Sequence, residues 1–157
     1  MKPNSPEAKA QRRQYERDYP SCQVTLACAG YVNFGHLPEW DRWQLTTHHI
    51  WGRKSHLSEI PENYVTARPA AHEWCHEHLV QSRIALTSYK LDLSKTDDTW
   101  PHFDRDALRE AAGYDVIGWV SNHASDEELP EWCSLLARNL VFRFRDKQNV
   151  EASDIGD

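Results

Sequence analysis

The chain has 157 residues, a mass of 18.3 kDa and a formal net charge of −6. This length is enough for one domain with a sizeable core, and 7 Trp, 6 Tyr and 4 Phe are available to fill it. No apolar run approaches the ~18 residues of a membrane span and no signal-peptide pattern is visible, so we expect a soluble, cytoplasmic protein with no membrane partner.

The distribution of charge and the spacing of the cysteines further limit where the chain can bind nucleic acid and in which redox compartment it works. Residues 1–60 carry a net charge of +2, residues 61–95 of 0 and residues 96–157 of −8. Nucleic-acid binding needs a basic surface, which only the first two thirds of the chain can offer. The 4 cysteines lack the regular spacing of a disulfide framework, which favours a reducing compartment.

Residues 1–20 are predicted to form a basic N-terminal helix. Ser5 is placed to cap it, Pro6 and Glu7 suit its first turn, and it should end near Asp18. Its polar face is either a solvated surface or a phosphate-contacting arm, and it carries these basic side chains: Lys9, Arg12, Arg13 and Arg17.

Residues 21–90 are predicted to form the core of the fold. Alternating side chains predict a strand over residues 22–27, and further strands are expected over 43–50 and 64–66. Pro69 has the position of a first-turn proline, which predicts a helix that runs to about Tyr89.

Residues 91–157 are predicted to form an acidic helical extension that packs on the core. After a linker over residues 91–99, Asp104 should cap a helix that ends at Gly113. Residues 114–120 fit a strand or a helix, and a capping pattern at residues 125–128 should open the last helix. The apolar stripe of that helix is expected to face the core: Leu129, Trp132, Leu135, Leu136 and Leu140.

Six of the 9 histidines fall between residues 46 and 78. His48 and His49 are adjacent and would point to opposite faces of a strand, so one can hold a metal while the other faces a substrate. His72 and His76 are four apart and would share one helical face, as two metal ligands do. Asn63 lies at a loop edge, where it can pin backbone groups or take the outer shell of the metal.

This order of residues resembles the motif of the HNH nucleases, and the spacing is similar to that of colicin-type DNase domains. The phrases HHIWGR and NYVTARPAAHEWCHEH are also similar to those of phage and bacterial HNH endonucleases, over roughly residues 43–80. The resemblance implies an α+β fold, a mainly helical small domain around a ββα-metal (HNH) finger. It also implies a phage-infected or bacterial cell as the setting.

The resemblance implies a metal-dependent endonuclease that hydrolyses DNA and leaves 5′-phosphate and 3′-OH ends. By this analogy His49 is the general base, and Asn63 orients the finger loop and the base. One divalent metal ion is held by three ligands: His48, His72 and His76. Basic residues near the motif are the expected nucleic-acid contacts, with Arg53 counted as catalytic as well: Arg53, Lys54, Arg12 and Arg13.

Three neutral imidazoles favour Zn²⁺, Ni²⁺, Mn²⁺ or Co²⁺ over Mg²⁺, which prefers oxygen ligands but remains usable. Many family members also carry a structural zinc between two Cys-x-x-Cys pairs. Here the second pair is replaced by Arg68 and Ala71, and Cys22 and Cys28 are separated by five residues. We therefore expect no structural zinc, and Cys22 and Cys28 should be ordinary buried thiols.

Two alternatives to a nuclease stay open at this point. Four histidines can form a closed zinc site that only staples a small finger. The chain can also be a non-catalytic HNH-like metal finger, a nucleic-acid or protein binding module with a protein partner at the acidic C-terminal region. Double-stranded DNA is the first expected substrate, although the motif is compatible with RNA, and a homodimer would make a double-strand cut easiest.

Overall fold

The structure is a computed structural model that describes residues 1–34, 44–53, 56–96 and 104–156, with side chains for 1–34, 44–53, 56–94 and 104–143. Helices dominate, and they surround one small two-stranded sheet. The predicted mixed, mainly helical α+β class is confirmed at this level. The elements in chain order are α1 Pro6–Asp18, α2 Gln23–Ala27, β1 Thr46–His49, β2 Tyr64–Ala67, α3 Pro69–Glu77, α4 Leu79–Thr96, α5 Arg105–Ala112, α6 Val116–His123 and α7 Glu131–Gly156.

The sheet pairs β1 with β2 in antiparallel fashion, with Thr46 opposite Ala67 and His49 opposite Tyr64. Successive side chains of a strand point to opposite faces, so β1 has two different sides. Thr46 and His48 share the side covered by α3, whereas the hydroxyl of Thr47 donates to Glu16 of α1 at 3.2 Å. β1 is therefore held between two helices.

Helix α1 begins as predicted, with the Ser5 side chain accepting a hydrogen bond from the Ala8 N–H at 3.1 Å. It is locked to the sheet through Lys90 of α4, whose side chain is fully buried. The Lys90 ammonium donates to the hydroxyl of Tyr15 at 2.7 Å and to the carbonyl of Tyr64 at 2.8 Å. One side chain therefore joins α4, α1 and β2.

The prediction of a strand over residues 22–27 was wrong, because this segment is helix α2. Its N-terminal cap is Cys22, whose sulfur accepts a hydrogen bond from the Thr25 N–H at 3.4 Å. Gln23 then faces the open edge of β2, where its side-chain oxygen accepts from the Thr66 N–H at 3.0 Å. A helix thus satisfies a strand edge that would otherwise be exposed for pairing.

The single helix predicted from Pro69 to about Tyr89 is two helices. α3 ends at Glu77, and His78 leaves the helical conformation with φ −124° and ψ 64°. α4 then continues to Thr96, so the linker predicted over residues 91–99 begins too early. The helix break carries neither Gly nor Pro, the residues that usually mark such a break in a sequence.

In the last third, the helix from Asp104 to the left-handed Gly113 is confirmed, and the ambiguous segment after it is helix α6. The prediction that residues 125–128 open the last helix was wrong, because this helix begins at Glu131 and its first hydrogen bonds go to the Pro130 carbonyl. Its predicted apolar stripe is only partly correct, since Leu135 is 54% exposed. The buried face of this helix carries the following residues, of which only Leu140 belongs to the predicted stripe: Cys133, Ala137, Leu140 and Val141.

One continuous apolar core links residues from α2 to α7. The predicted burial of Cys22 and Cys28 is confirmed, and all four cysteines are free thiols. Burial raises the pKa of Cys28 to about 12, so this thiol stays protonated at neutral pH. None of the helices in the described ranges combines the length and apolar character that a membrane crossing requires.

Candidate functional site

Three histidines come together where β1 meets α3. His48 is contributed by β1, and α3 contributes His72 and His76, which share a helical face because they are four residues apart. One nitrogen from each ring lies within 4.8 Å of the other two. The ring centroids are 5.0 Å apart for His48 and His72, and 4.9 Å apart for His72 and His76. The three side chains predicted as metal ligands therefore form one cluster, which we call the histidine cluster.

The chain brings these rings together through a short connection. β2 ends at Ala67, and α3 begins two residues later at Pro69, whose fixed φ suits a first helical turn. α3 therefore starts beside the strand pair and packs against β1. This arrangement leaves His48 buried, His72 half-buried and His76 exposed, so the cluster opens to solvent at its α3 end.

The pKa values of two histidines in the cluster are lowered. Burial and the neighbouring imidazoles lower the pKa of His48 to about 3. Burial also lowers the pKa of His72, with His76 adding to the effect. At neutral pH His48 and His72 are therefore neutral and offer lone pairs, the form in which imidazole binds metals.

One of these rings, that of His72, is in hydrogen-bond contact with a threonine hydroxyl. The Thr46 hydroxyl lies 3.0 Å from Nδ1 of His72, which leaves Nε2 of that ring available. Histidines that bind metals usually have the other ring nitrogen in such a hydrogen bond. Nitrogen donors of this kind fit a borderline divalent ion such as Zn²⁺, Co²⁺ or Ni²⁺.

His49 is the next residue of β1, but its ring has different neighbours. Its Nε2 lies 2.6 Å from Oε2 of Glu59, and its ring packs edge-on against Tyr64. Burial lowers the pKa of His49, although the hydrogen bond that its ring donates to Glu59 opposes that effect. The candidate base is therefore buried, fixed and separate from the histidine cluster.

Glu59 was not predicted as a site residue. It is 4% exposed, and its carboxylate forms an ion pair with Arg12 of α1 in addition to the contact with His49. The Tyr64 hydroxyl donates to Glu59 Oε2 at 2.9 Å, and Gln11 donates to the Glu59 carbonyl at 2.8 Å. We call these residues the Glu59 network. An acidic residue in an irregular loop gives no periodic signal by which the sequence could have placed it here.

Asn63 holds the loop between the two strands. Its side-chain oxygen accepts from the Trp51 N–H at 2.8 Å, and its amide donates to the carbonyls of Gly52 at 3.1 Å and Ser58 at 3.0 Å. Asn63 itself is fully buried. Of the two roles considered for it, pinning backbone groups is the one that the geometry matches.

The predicted nucleic-acid contacts have different surroundings. Arg53 and Arg13 are exposed, and Lys54 lies outside the described residues. Arg12 was predicted on the phosphate-contacting face of α1, but its guanidinium pairs with Glu59 and donates to the Pro3 carbonyl at 2.9 Å. This side chain is occupied inside the protein and is not free as a surface contact.

Comparisons of the chain with protein-family models, curated proteins and solved structures find no match. The candidate site is therefore interpreted from its own residues.

Proposed function

We propose that the chain is a metal-dependent HNH endonuclease that hydrolyses DNA phosphodiester bonds on a ββα-metal finger made of β1, β2 and α3. The observation that carries this proposal is the histidine cluster lying beside a separately fixed histidine on the same strand. A site that only stapled the fold would need the three ligands but not the buried His49 with its carboxylate partner.

His48, His72 and His76 would hold one divalent metal ion. Their nitrogens are close enough for common coordination, and two of the rings are neutral because burial lowers their pKa. The bound ion supplies Lewis acidity that stabilises charge on the scissile phosphate and on the departing oxygen. Because His76 is exposed, a phosphate can approach from the solvent side.

His49 would act as the general base. It takes one proton from a water molecule, whose oxygen forms a bond to phosphorus while the bond from phosphorus to the 3′ oxygen breaks. The released 3′ oxygen is protonated from solvent, which gives 3′-OH and 5′-phosphate ends. Neutral imidazole is needed for this step, and the lowered pKa of His49 keeps it in that form at neutral pH.

Arg53 would contact a phosphate next to the scissile bond. It lies on the loop that follows β1, and Asn63 fixes the preceding residue, Gly52, through a hydrogen bond to its carbonyl. The Arg53 side chain is exposed and donates a hydrogen bond to the Pro3 carbonyl at 3.4 Å. Guanidinium groups suit phosphate because they offer several donors in a fixed plane.

The test is cleavage by purified, metal-stripped protein with Mg²⁺, Mn²⁺, Co²⁺, Ni²⁺ and Zn²⁺ added separately. Supercoiled plasmid, single-stranded DNA and RNA serve as substrates, and end-labelling identifies the product ends. We expect nicking with Mn²⁺, Co²⁺ or Ni²⁺ and weaker nicking with Mg²⁺. The proposal requires that activity falls by about 10²–10⁴-fold in His49→Ala and persists in His78→Ala, a control on the same part of the chain.

A different result would favour a binding module. If no substrate is cut with any metal while Co²⁺ still binds, the histidine cluster serves a non-catalytic finger. If only Mg²⁺ supports cleavage, the assignment of three imidazole ligands is wrong.

A further inference from the structure

The contact between His49 and Glu59 also determines which nitrogen of the imidazole carries the hydrogen. Neutral imidazole carries one hydrogen, either on Nδ1 or on Nε2, and the other nitrogen holds the lone pair. An ionised carboxylate only accepts hydrogen bonds. Since Nε2 of His49 lies 2.6 Å from Oε2 of Glu59, the hydrogen belongs on Nε2 and the lone pair on Nδ1.

The carboxylate is itself held from several directions. Oε1 of Glu59 pairs with the Arg12 guanidinium, and Oε2 accepts from the Tyr64 hydroxyl at 2.9 Å as well as from His49. Arg12 balances the charge of a side chain that is almost fully buried. With both oxygens engaged, the carboxylate has little freedom to turn away from the imidazole.

Nδ1 of His49 has no comparable partner. Within the part of the chain that the structure describes, no side chain or backbone group forms a hydrogen bond with this nitrogen. The ring is therefore oriented with a protein-bound Nε2 and an Nδ1 that is left for a molecule from outside.

We propose that Glu59 is a positioning residue that fixes His49 in the Nε2–H tautomer, so that Nδ1 is the atom that removes the proton from the attacking water. Arg12 acts through Glu59 and makes α1 part of the site, although α1 lies outside the motif. The role in cleavage rests on the proposed nuclease function. The tautomer itself does not depend on that function.

The tautomer is tested first, by ¹⁵N NMR of the imidazole rings in labelled, metal-stripped protein at pH 8. The His49 signals are assigned by their absence from His49→Ala. We expect a single Nε2–H tautomer in the parent. In Glu59→Gln the amide can accept through oxygen or donate through nitrogen, so we expect a mixture of both tautomers.

The kinetic test uses the same variants. A wrong tautomer leaves the base without a lone pair facing water, so Glu59→Gln should lower kcat by about 10²-fold, within the ~10⁴-fold known for loss of such a carboxylate. KM and Co²⁺ affinity should stay within about twofold, since the histidine cluster is untouched. Glu62→Gln is the matched control, a buried carboxylate three residues away that is expected to leave the tautomer and kcat unchanged.

The two proposals fail in different ways. A single Nε2–H tautomer in Glu59→Gln, or an unchanged kcat, overturns the positioning role while the nuclease stands. If the parent cuts nothing, the nuclease fails and the NMR result alone decides whether Glu59 sets the tautomer. Should Glu59→Gln not fold, the double variant Arg12→Met/Glu59→Gln removes the unpaired cation and is measured in the same way.

Discussion

The two sides of β1 differ in how their polar groups are satisfied. On one side, the side chains of the histidine cluster have a single hydrogen bond to the protein among the described residues, between Thr46 and His72. On the other side, the ring of His49 is bound to Glu59, which has its own partners in Arg12 and Tyr64. Buried polar groups are usually paired, so lone pairs left together on one side indicate a place for an external ligand.

In the proposed function, one side of β1 binds the metal ion and the other side carries the general base. The side that carries the histidine cluster brings one nitrogen from each of three imidazoles within 4.8 Å of the others, so these three side chains could hold a cation. On the side that carries the Glu59 network, Glu59 holds Nε2 of His49, and Nδ1 has no hydrogen-bond partner among the described residues. Adjacent residues can differ so much because the strand turns their side chains in opposite directions.

The largest effect is expected from removing one ligand of the histidine cluster. His76→Ala should lower Co²⁺ affinity by more than the ~10² that loss of an outer-layer partner costs. His78→Ala is the control, since that ring stacks on Trp74 and its Nδ1 lies near a backbone carbonyl. Isothermal titration of metal-stripped protein measures both. Equal affinities for the two variants would exclude His76 as a ligand.

The next effect concerns the loop that joins β1 to β2. Asn63→Ala removes three hydrogen bonds and leaves the buried Trp51 N–H without its partner, so the free energy of unfolding should fall by about 2–3 kcal/mol. Asn139→Ala, on an exposed helical surface, should change it by less than ~0.5 kcal/mol. Urea unfolding measures both. A loss below about 1 kcal/mol for Asn63→Ala would mean that the loop does not depend on this side chain.

A smaller effect distinguishes neighbouring threonines on opposite sides of β1. Thr46→Val removes the contact with Nδ1 of His72 and should weaken Co²⁺ binding about tenfold. Thr47→Val alters the side facing α1, where the hydroxyl donates to Glu16, and should leave Co²⁺ affinity unchanged. If both variants bind Co²⁺ equally well, the Thr46 hydroxyl does not orient the ligand.

The smallest effect concerns Glu62, a carboxylate that forms no ion pair with an arginine among the described residues, unlike Glu59. Burial raises the pKa of Glu62, although Lys90 opposes that effect. Its folded state binds the proton more tightly than the unfolded state, so this group stabilises the fold at low pH and loses that contribution as pH rises through the folded pKa. Glu62→Gln should therefore unfold at a higher temperature than the parent at pH 7. At pH 4 the two should be nearly equal, and thermal unfolding at both pH values checks this.

Local patterns in the sequence placed the parts of the site that depend on spacing. The positions of His72 and His76 on one helical face follow from a separation of four residues, and the opposite directions of His48 and His49 follow from the strand. Their roles in metal binding and catalysis stay predictions. The ends of α1 and α5 were also predictable, because Ser5, Pro6, Asp104 and Gly113 have direct backbone effects.

The missed features depend on contacts between distant segments. Glu59 meets Arg12 across 47 residues of chain, and no sequence period records such a pair. The helix break at His78 lacks Gly or Pro, and α2 was mistaken for a strand because five residues carry little periodicity. In α7 the buried face uses Cys133 and Ala137, whose small side chains gave a weaker pattern than the exposed Leu135.

The measurement that tests the division between the two sides most directly is Co²⁺ binding and single-turnover DNA cleavage on the same preparations of the parent and His49→Ala. We predict that His49→Ala binds Co²⁺ as tightly as the parent and cleaves about 10²–10⁴-fold more slowly, the usual contribution of a general base. Cleavage at the parental rate, or loss of Co²⁺ binding together with cleavage, would contradict the assignment of base and metal to opposite sides of β1.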